Sequence, residues 1–324
     1  MSELGDTGRA VRLAEVVRGG FVESVHLGHT VVVDVRGEVV YAAGDPEVTM
    51  LPRSSAKPLQ AVASQASGAG LSGELLAVAC GSHTGEEFHV EAVDAILDRA
   101  GLPRAALRNV ADYPEDLPAR YRLVRAGGEP APVYMNCSGK HAAMLAACVV
   151  NGWDLDGYLD PAHPMQRIVV ETVERLAGET VPLTVTDGCG APCPAVSLAG
   201  LARTFGRLAA APGGTLDGAV AGAMRAHPEY VGGTGHVNTR FARLAPGAIV
   251  KGGAEGVLVA AMPDGTSVAV KCLDGNPRAT TAAGIAALRL AGVALPDLGE
   301  LTDLTVSGGG RPAGHIAVTV KGRA

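Results

Sequence analysis

Lysine is scarce in this sequence, because only five of its 27 basic residues are lysine and the rest are arginine. The basic residues are outnumbered by 33 acidic ones, which gives a formal net charge of −6. Such a chain lacks the excess of positive charge that gathers nucleic-acid phosphates. The composition therefore argues against nucleic acid as a partner.

Long apolar segments are missing too. The longest uninterrupted apolar run spans residues 142–150, whereas a membrane-spanning helix needs about 20 such residues. Residues 1–20 alternate charged residues with short apolar pairs and lack the apolar core of an export signal. We therefore expect no membrane partner and a cytoplasmic protein.

Neither a disulfide framework nor a nucleotide-binding motif is indicated. The six cysteines form no CxxC pair, and without an export signal they are expected to be thiols or metal ligands. No glycine stands five residues before Gly139, so Gly139-Lys140 does not complete a phosphate-binding loop. Gly188-Cys189-Gly190 and Gly233-Thr234-Gly235 do not complete a dinucleotide-binding motif. No nucleotide cofactor is expected.

The pattern of apolar residues changes twice along the 324 residues. Two β-branched runs, 29–35 and 38–43, surround Arg36-Gly37 and predict a β-hairpin. Helical periodicity dominates from about 54 to 230. Beyond Pro246 the sequence predicts strands at 248–251, 256–261, 267–272 and 316–320 and a long helix over 279–290.

These segments predict a mixed α/β (α+β) fold. Both chain ends are expected to join in one mainly antiparallel sheet with flanking helices, and the helical middle is expected to form an inserted lobe. The chain 1–324 is then a single catalytic unit, with a sheet lobe from 1–50 and 236–324 and a helical lobe from 51–235. A cleft between the two lobes is the expected place for a site.

A serine stands three residues before a lysine in Ser54-Ser55-Ala56-Lys57-Pro58. Pro58 marks the first turn of a helix, on which residues three apart have Cβ atoms about 5–6 Å apart. A neutral Lys57 amine could take the proton of Ser54 directly, and a helix N-terminus disfavours the charged amine and can hold an oxyanion. The alternative is an N-cap serine followed by a solvated lysine.

Two further lysines lie in clusters of small residues. Lys251 follows an apolar strand-like run and precedes Gly252-Gly253, which resembles the Lys-Thr-Gly element of penicillin-recognising enzymes with glycine in place of the hydroxyl residue. Lys140 lies in Asn136-Cys137-Ser138-Gly139-Lys140-His141. Three of only five lysines therefore occur in Ser, Gly and Cys motifs, which solvated surface lysines have no reason to prefer.

Five motifs in order resemble those of the L-asparaginase II family, the rhizobial-type or class 3 L-asparaginases. They are Arg53-Ser54-Ser55-Ala56-Lys57-Pro58, Cys80-Gly81-Ser82-His83-Thr84-Gly85-Glu86, Asn136-Cys137-Ser138-Gly139-Lys140-His141, Asp187-Gly188-Cys189-Gly190-Ala191-Pro192 and Lys251-Gly252-Gly253-Ala254-Glu255-Gly256. Their combination is far more specific than any one of them.

The resemblance implies a fold akin to serine β-lactamases and glutaminases, a homodimer, and hydrolysis of L-asparagine to L-aspartate and ammonia. It also implies two Ser-Lys pairs, Ser54 with Lys57 and Ser82 with Lys251. A zinc ion is implied on two cysteines and a lysine, which match Cys137, Lys140 and Cys189. Thiolates are good zinc ligands, and a lysine amine binds zinc only when its proton is displaced. Because a serine supplies the nucleophile, we expect the metal to organise the pocket.

Other residues are candidates for binding the substrate. An amino-acid ammonium needs an acid, and Asp187 fits this role; its carboxylate needs a base or a helix N-terminus. Arg53, Arg240 and His141 are possible carboxylate partners, although both arginines fit equally well as surface ion-pair residues. Cys193 is close enough in sequence to Cys189 to share a metal, yet the family pattern does not require it.

The favoured function is an L-asparaginase in which Ser54 attacks the side-chain amide and Lys57 acts as general base. A glutaminase or another Ser-Lys amidohydrolase, such as a β-lactamase or peptidase, is the first alternative. One methylene separates glutamine from asparagine and is worth only about 1–3 kcal/mol in a pocket. A non-catalytic protein that binds zinc or an amino acid is the second alternative.

Overall fold

The computed structural model describes residues 7–321. Its main sheet has eight strands, and all of their pairings are antiparallel. The strands are β1 (Val11–Arg18), β2 (Phe21–Val33), β3 (Val39–Ala43), β4 (Thr49–Met50), β5 (Thr184–Thr186), β6 (Pro192–Pro194), β7 (Val196–Ser197), β8 (Ile249–Gly253), β9 (Val257–Ala261), β10 (Ser267–Cys272), β11 (Leu304–Gly308) and β12 (Arg311–Val318). Strands β4 with β7 and β5 with β6 form two small separate ribbons.

The helices follow one another through the middle of the chain. They are α1 (Lys57–Ala66), α2 (Gly73–Ala79), α3 (Glu87–Arg99), α4 (Leu117–Arg125), α5 (Ser138–Asn151), α6 (Pro164–Ala177), α7 (Leu198–Ala210), α8 (Leu216–Ala226), α9 (Pro228–Val231), α10 (Val237–Leu244), α11 (Thr280–Leu290) and α12 (Gly299–Thr302). No helix among residues 7–321 is both long and apolar enough to cross a membrane.

The main sheet joins the two ends of the chain, as the sequence predicts. Its order is β11-β12-β1-β2-β10-β9-β8, and β3 also pairs with β2. The first part of β2 pairs with β1, whereas β3 and β10 flank its second part. The mixed α/β fold with a mainly antiparallel sheet is therefore confirmed. The division into a sheet lobe and a helical lobe stays a prediction.

The two faces of the sheet are covered by different helices. Successive residues of a strand point to opposite faces, and in β2 Val31 and Val33 pack into the large helical core, whereas Val32 packs into a second core with α11. Helix α7 lies against β2, β9 and β10 on the first face, and α11 lies against the same strands on the second. The strands between these helices, β9, β10 and the second part of β2, are mainly apolar because both of their faces are buried.

Some elements were not predicted from the sequence. Strand β1 mixes charged and apolar residues, and only Leu13, Ala14 and Val16 of its eight residues are fully buried. Helix α7 contains Gly200 and Gly206, which weaken the helical signal. Both glycines let a neighbouring segment pack closely against the helix. An added Cβ would meet Glu179 at Gly200 and the backbone oxygen of Gly265 at Gly206.

Candidate active site

The hydroxyl of Ser82 lies between two buried lysine amines. Lys57 Nζ and Lys251 Nζ each donate a hydrogen bond to Ser82 Oγ, both at 2.8 Å. Lys57 begins α1, Lys251 lies in β8, and Ser82 follows the end of α2. Three elements that are distant in sequence therefore converge on one hydroxyl.

Burial sets the charge state of these amines. Both lysines are 0 % exposed, and their other acceptors are uncharged: Asn136 O at 3.0 Å for Lys57 and Gly252 O at 2.7 Å for Lys251. Loss of hydration lowers the pKa of Lys57 and, more strongly, that of Lys251, which the neighbouring Lys57 charge lowers further. An amine with a lowered pKa can act as a neutral base near neutral pH.

Ser54 occupies the 3-10 turn Arg53–Ala56 immediately before α1. The structure differs here from the expected direct contact, because within residues 7–321 the Lys57 amine is hydrogen-bonded to Ser82 and Asn136 and not to Ser54. A buried amine needs several hydrogen-bond acceptors, and the Lys57 amine finds them in the hydroxyl of Ser82 and the oxygens of Asn136. Pro58 lies in the first turn of α1 as predicted.

A cavity of about 480 Å³ opens onto both serines, within the range of roughly 300–1,000 Å³ that is typical of small-molecule sites. Its polar lining includes Ser54, Ser82, Asn136, His236, Arg240 and Lys251. Ser54, Ser82 and Lys251 thus line the same space, and Lys57 is linked to it through its hydrogen bond to Ser82.

The backbone on either side of this site is strained. Outside glycine, positive φ angles in the described chain occur at Arg53 (49°) and Glu255 (62°). Arg53 precedes Ser54, and its guanidinium lies 3.9 Å from the Glu255 carboxylate. Non-glycine residues in this region cost on the order of 1–3 kcal/mol each and cluster at functional sites.

The three residues predicted to hold zinc are brought together. Cys137 and Cys189 lie in one small buried cluster, close enough for each thiol to shift the pKa of the other. Lys140 is 2 % exposed, and its amine lies close enough to both sulfurs to be influenced by them. Although burial opposes the charged amine, the Cys137 and Cys189 sulfurs and Asp187 raise the pKa of Lys140. Two thiols and an amine in a buried cluster are a donor set that suits Zn²⁺.

The thiols of Cys137 and Cys189 shift each other's pKa in opposite directions. The neighbouring Cys189 thiol, together with the Lys57 and Lys140 amines, lowers the pKa of Cys137 well below its usual value, although burial alone would raise it. The same sulfur pair raises the pKa of Cys189. Cys137 is therefore the thiol that is readily available as a thiolate ligand. Burial raises the pKa of Cys193 to about 11, so that thiol stays neutral.

The structure places the four predicted substrate-binding residues in three different environments. Arg53 Nε donates to Asp187 Oδ1 at 2.7 Å, so these two side chains neutralise each other. Arg240 lines the cavity and is also bonded to Glu300 Oε1 at 3.1 Å. His141 is fully buried, its Nδ1 faces Tyr158 Oη at 2.7 Å, and it is absent from the lining of the cavity. Its role in substrate binding stays a prediction that this placement does not favour.

Several residues of this site were not predicted from the sequence. Asn136 holds Lys57 through its backbone oxygen, and its side chain donates to Glu115 at 2.6 Å. Asn238 Oδ1 accepts from the Gly252 N–H and so ties α10 to β8, while His236 lines the cavity at the start of α10. The available signal was the glycine-rich loop Gly232-Gly233-Thr234-Gly235, which allows close approach of a ligand or another backbone segment.

Solved structures with a similar fold are distant from this chain. Mglu in its native form is 15% identical with a TM-score of 0.43, and the alignment covers 82% of this chain and 63% of Mglu. A β-lactamase from Mycobacterium bovis is 16% identical with a TM-score of 0.44, covering 82% of this chain and 94% of that one. EstCE1, a hydrolase with promiscuous acyltransferase activity, is 12% identical with a TM-score of 0.42, covering 78% and 91%. Likenesses this weak say nothing about the chemistry of this chain.

The family of the chain is shown by its sequence. No curated protein sequence matches it significantly. The profile that is described as L-asparaginase II matches residues 14–318, which is nearly the whole chain and includes every residue of the site described above. The chain therefore belongs to the L-asparaginase II family and is an amidohydrolase.

Proposed function

We propose that this protein is an L-asparaginase that hydrolyses L-asparagine to L-aspartate and ammonia through a serine acyl-enzyme. The observation that carries the proposal is the hydrogen-bonded chain Lys57–Ser82–Lys251, which opens onto the cavity that Ser54 lines. Two buried amines with lowered pKa values, joined by one hydroxyl, form a path along which a proton can move.

Ser54 is the proposed nucleophile because it lines the cavity and its hydroxyl is not hydrogen-bonded to either amine. Its Oγ attacks the side-chain amide carbon, and its proton passes to Lys57 Nζ as substrate binding brings the groups together. The oxyanion needs N–H donors at the very start of the turn Arg53–Ala56, because the N–H groups of Ser55 and Lys57 already donate to Pro52 O and Ser54 O. Catalytic hydrogen bonds are often long in a ligand-free enzyme and shorten with substrate bound.

Ser82 and Lys251 are proposed to protonate the leaving group. Ser82 passes a proton from the amine chain to the departing nitrogen, so that ammonia leaves and the aspartyl ester of Ser54 remains. A water molecule then attacks the ester carbon and gives its proton to Lys57, which restores Ser54 and releases L-aspartate. The proton that Ser54 gives up leaves with ammonia, and the proton taken from water returns to Ser54, so the three-residue chain regains its starting protonation after each half of the reaction.

Zinc is the proposed resident metal, on Cys137, Lys140 and Cys189. When bound, it would supply a fixed positive centre that joins the start of α5 to the turn at 187–190. In the proposed mechanism, these three residues hold the pocket wall beside Lys57, whose pKa the Cys137 sulfur raises against the larger effect of burial. We also propose a homodimer, on family membership alone, which light scattering of the purified protein tests.

The decisive experiment measures ammonia release and locates the acyl group. The wild-type protein is expected to release ammonia faster from L-asparagine than from L-glutamine, and Ser54→Ala is expected to release none. Acid quenching during turnover followed by peptide mass mapping should place an aspartyl adduct on Ser54. An adduct on Ser82 would reverse the roles of the two serines, and no ammonia from either amide would overturn the proposed function.

A further inference from the structure

His236 lies on the wall of the catalytic cavity and caps α10. Its Nδ1 accepts a hydrogen bond from the backbone N–H of Asn238 at 3.1 Å. A neutral imidazole has one donor and one acceptor nitrogen. Because Nδ1 is the acceptor here, the ring proton is on Nε2.

The Nε2 side of this ring is available to a ligand. Within residues 7–321, no hydrogen bond to His236 Nε2 is found. The His236 ring lines the cavity together with Ser54 and Lys251. It differs in this respect from His141, whose Nε2 also has no hydrogen-bond partner but is buried away from solvent. Burial and the nearby Lys251 lower the pKa of His236 to about 4, so the ring stays neutral at physiological pH.

Helix α10 presents a second donor on the same face. Arg240 is four residues after His236, which places both side chains on one side of the helix, and both line the cavity. The N-terminus of a helix carries partial positive charge. Arg240 donates through Nε to Glu300 Oε1 at 3.1 Å and through Nη2 to Glu300 O at 3.0 Å, and Glu300 also lines the cavity. Because this pair is solvent-exposed, with side-chain exposures of 41% and 51%, it is weak, and a ligand carboxylate can compete with Glu300 for the guanidinium.

This face is suited to an anion. Arg53, by contrast, is already neutralised by Asp187. A neutral N–H, a guanidinium and a helix N-terminus on one cavity wall are complementary to a carboxylate. An amino-acid amide presents one such group, its α-carboxylate, on the side away from the amide that Ser54 attacks.

We propose that His236 is a specificity-determining residue whose Nε2–H donates a hydrogen bond to the α-carboxylate of the amino-acid substrate. The inference rests on the proposed function, because it requires a substrate that carries both an amide and a free α-carboxylate. It adds to that function the residue that distinguishes an amino acid from a simple amide.

Two substitutions separate the two nitrogens of His236. In His236→Asn, the side-chain oxygen takes the place of Nδ1 and keeps the helix cap, but no donor reaches the place of Nε2. In His236→Gln, the side-chain N–H reaches the place of Nε2, but the cap is lost. His315→Asn, on an exposed part of β12, is the matched control.

The probes are L-asparagine, succinamate, which lacks the ammonium, and 3-aminopropanamide, which lacks the α-carboxylate. In His236→Asn, kcat/KM for L-asparagine and succinamate should fall about tenfold to a hundredfold, mainly through KM, whereas the value for 3-aminopropanamide stays near that of the wild type. His236→Gln should restore most of the loss despite a lower Tm. His315→Asn should change nothing.

Calorimetry with the product gives a readout that does not need turnover. L-aspartate should bind His236→Asn more weakly by a similar factor, whereas β-alanine, which lacks the α-carboxylate, should bind both proteins equally. Equal losses for all three amides, or unchanged L-aspartate binding, would overturn the role of His236. A wild-type protein that binds L-aspartate but releases no ammonia would overturn the proposed function while leaving this test intact.

Discussion

Lys57 and Lys251 share the hydroxyl of Ser82 as a common acceptor, each at 2.8 Å, although they lie 194 positions apart (251 − 57). Two protonated amines this close in a dry environment would repel strongly. At least one of them is therefore neutral in the folded protein, which is the state that a general base needs. The two hydrogen bonds to Ser82 thus limit the number of protonated lysines in the site to one at most.

Ser82→Ala tests the proton path. The substitution removes the shared acceptor, which leaves two buried amines each short of a partner, and kcat is expected to fall about 10²–10⁴-fold. The aspartyl adduct on Ser54 should still form, but slowly, in a rapid-quench measurement. Ser307→Ala, on an exposed part of β11, serves as the control and should keep the wild-type rate. An unchanged kcat for Ser82→Ala would remove Ser82 from the mechanism.

Lys251 is expected to make the protein more stable as the pH rises. Burial and Lys57 place its pKa in the folded protein well below that of the unfolded chain, which is about 10.4. Between these two values the unfolded chain binds the additional proton, so the free energy of unfolding rises as the pH increases. Lys251→Met should flatten this rise.

The measurement for Lys251 is denaturant unfolding at several pH values between 6 and 10. Lys321→Met, which removes an exposed lysine, should leave the slope of the wild type unchanged. Parallel pH profiles for the wild type and Lys251→Met would mean that the Lys251 amine titrates normally, and would count against a neutral lysine in this site.

The sequence was most informative where chemistry depends on neighbours along the chain. Lys57, Lys140 and Lys251 stood out because lysine is otherwise scarce, and the structure buries all three. Strands β9 and β10 were predicted because they are buried along their whole length and are mainly apolar, and β8 was predicted from its apolar start Ile249-Val250.

The sequence was least informative where tertiary contacts decide the outcome. Spacing paired Ser54 with Lys57, whereas the amine of Lys57 is bonded to Ser82, 25 residues away. The mutual neutralisation of Arg53 and Asp187, 134 residues apart, could not be read from two separate motifs. The tautomer of His236 depends on a backbone N–H that is oriented only once α10 has formed.

The ion pair of Arg53 with Asp187 is expected to position Ser54. Its side chains are 24% and 9% exposed, so the pair is partly dry, and a double-mutant cycle with Arg53→Met and Asp187→Asn should give a coupling energy of about 1–3 kcal/mol in the free energy of unfolding. Arg175 and Asp217 form a control pair on the surface, at 53% and 19% exposure. That pair should couple by less than about 1 kcal/mol.

The same cycle separates positioning from direct substrate binding. If Arg53 and Asp187 only hold the strained turn before Ser54, each single substitution should lower kcat with little change in KM. A large rise in KM for Asp187→Asn, confined to substrates with an ammonium group, would instead restore Asp187 as the ammonium partner that the sequence predicted.

Removal of zinc distinguishes a metal that organises the pocket from one that supplies the nucleophile. Metal analysis of the purified protein should find zinc, and its removal by a chelator or by Cys189→Ser is expected to raise KM roughly tenfold to a hundredfold with a smaller effect on kcat. The reason is that the ligands hold the wall of the cavity, whereas Ser54 performs the attack. Cys148→Ser, in a buried thiol on α5 outside the cluster, controls for loss of a core cysteine. A collapse of kcat at constant KM on chelation, reversed by added zinc, would place the metal in the bond-breaking step and contradict the serine mechanism.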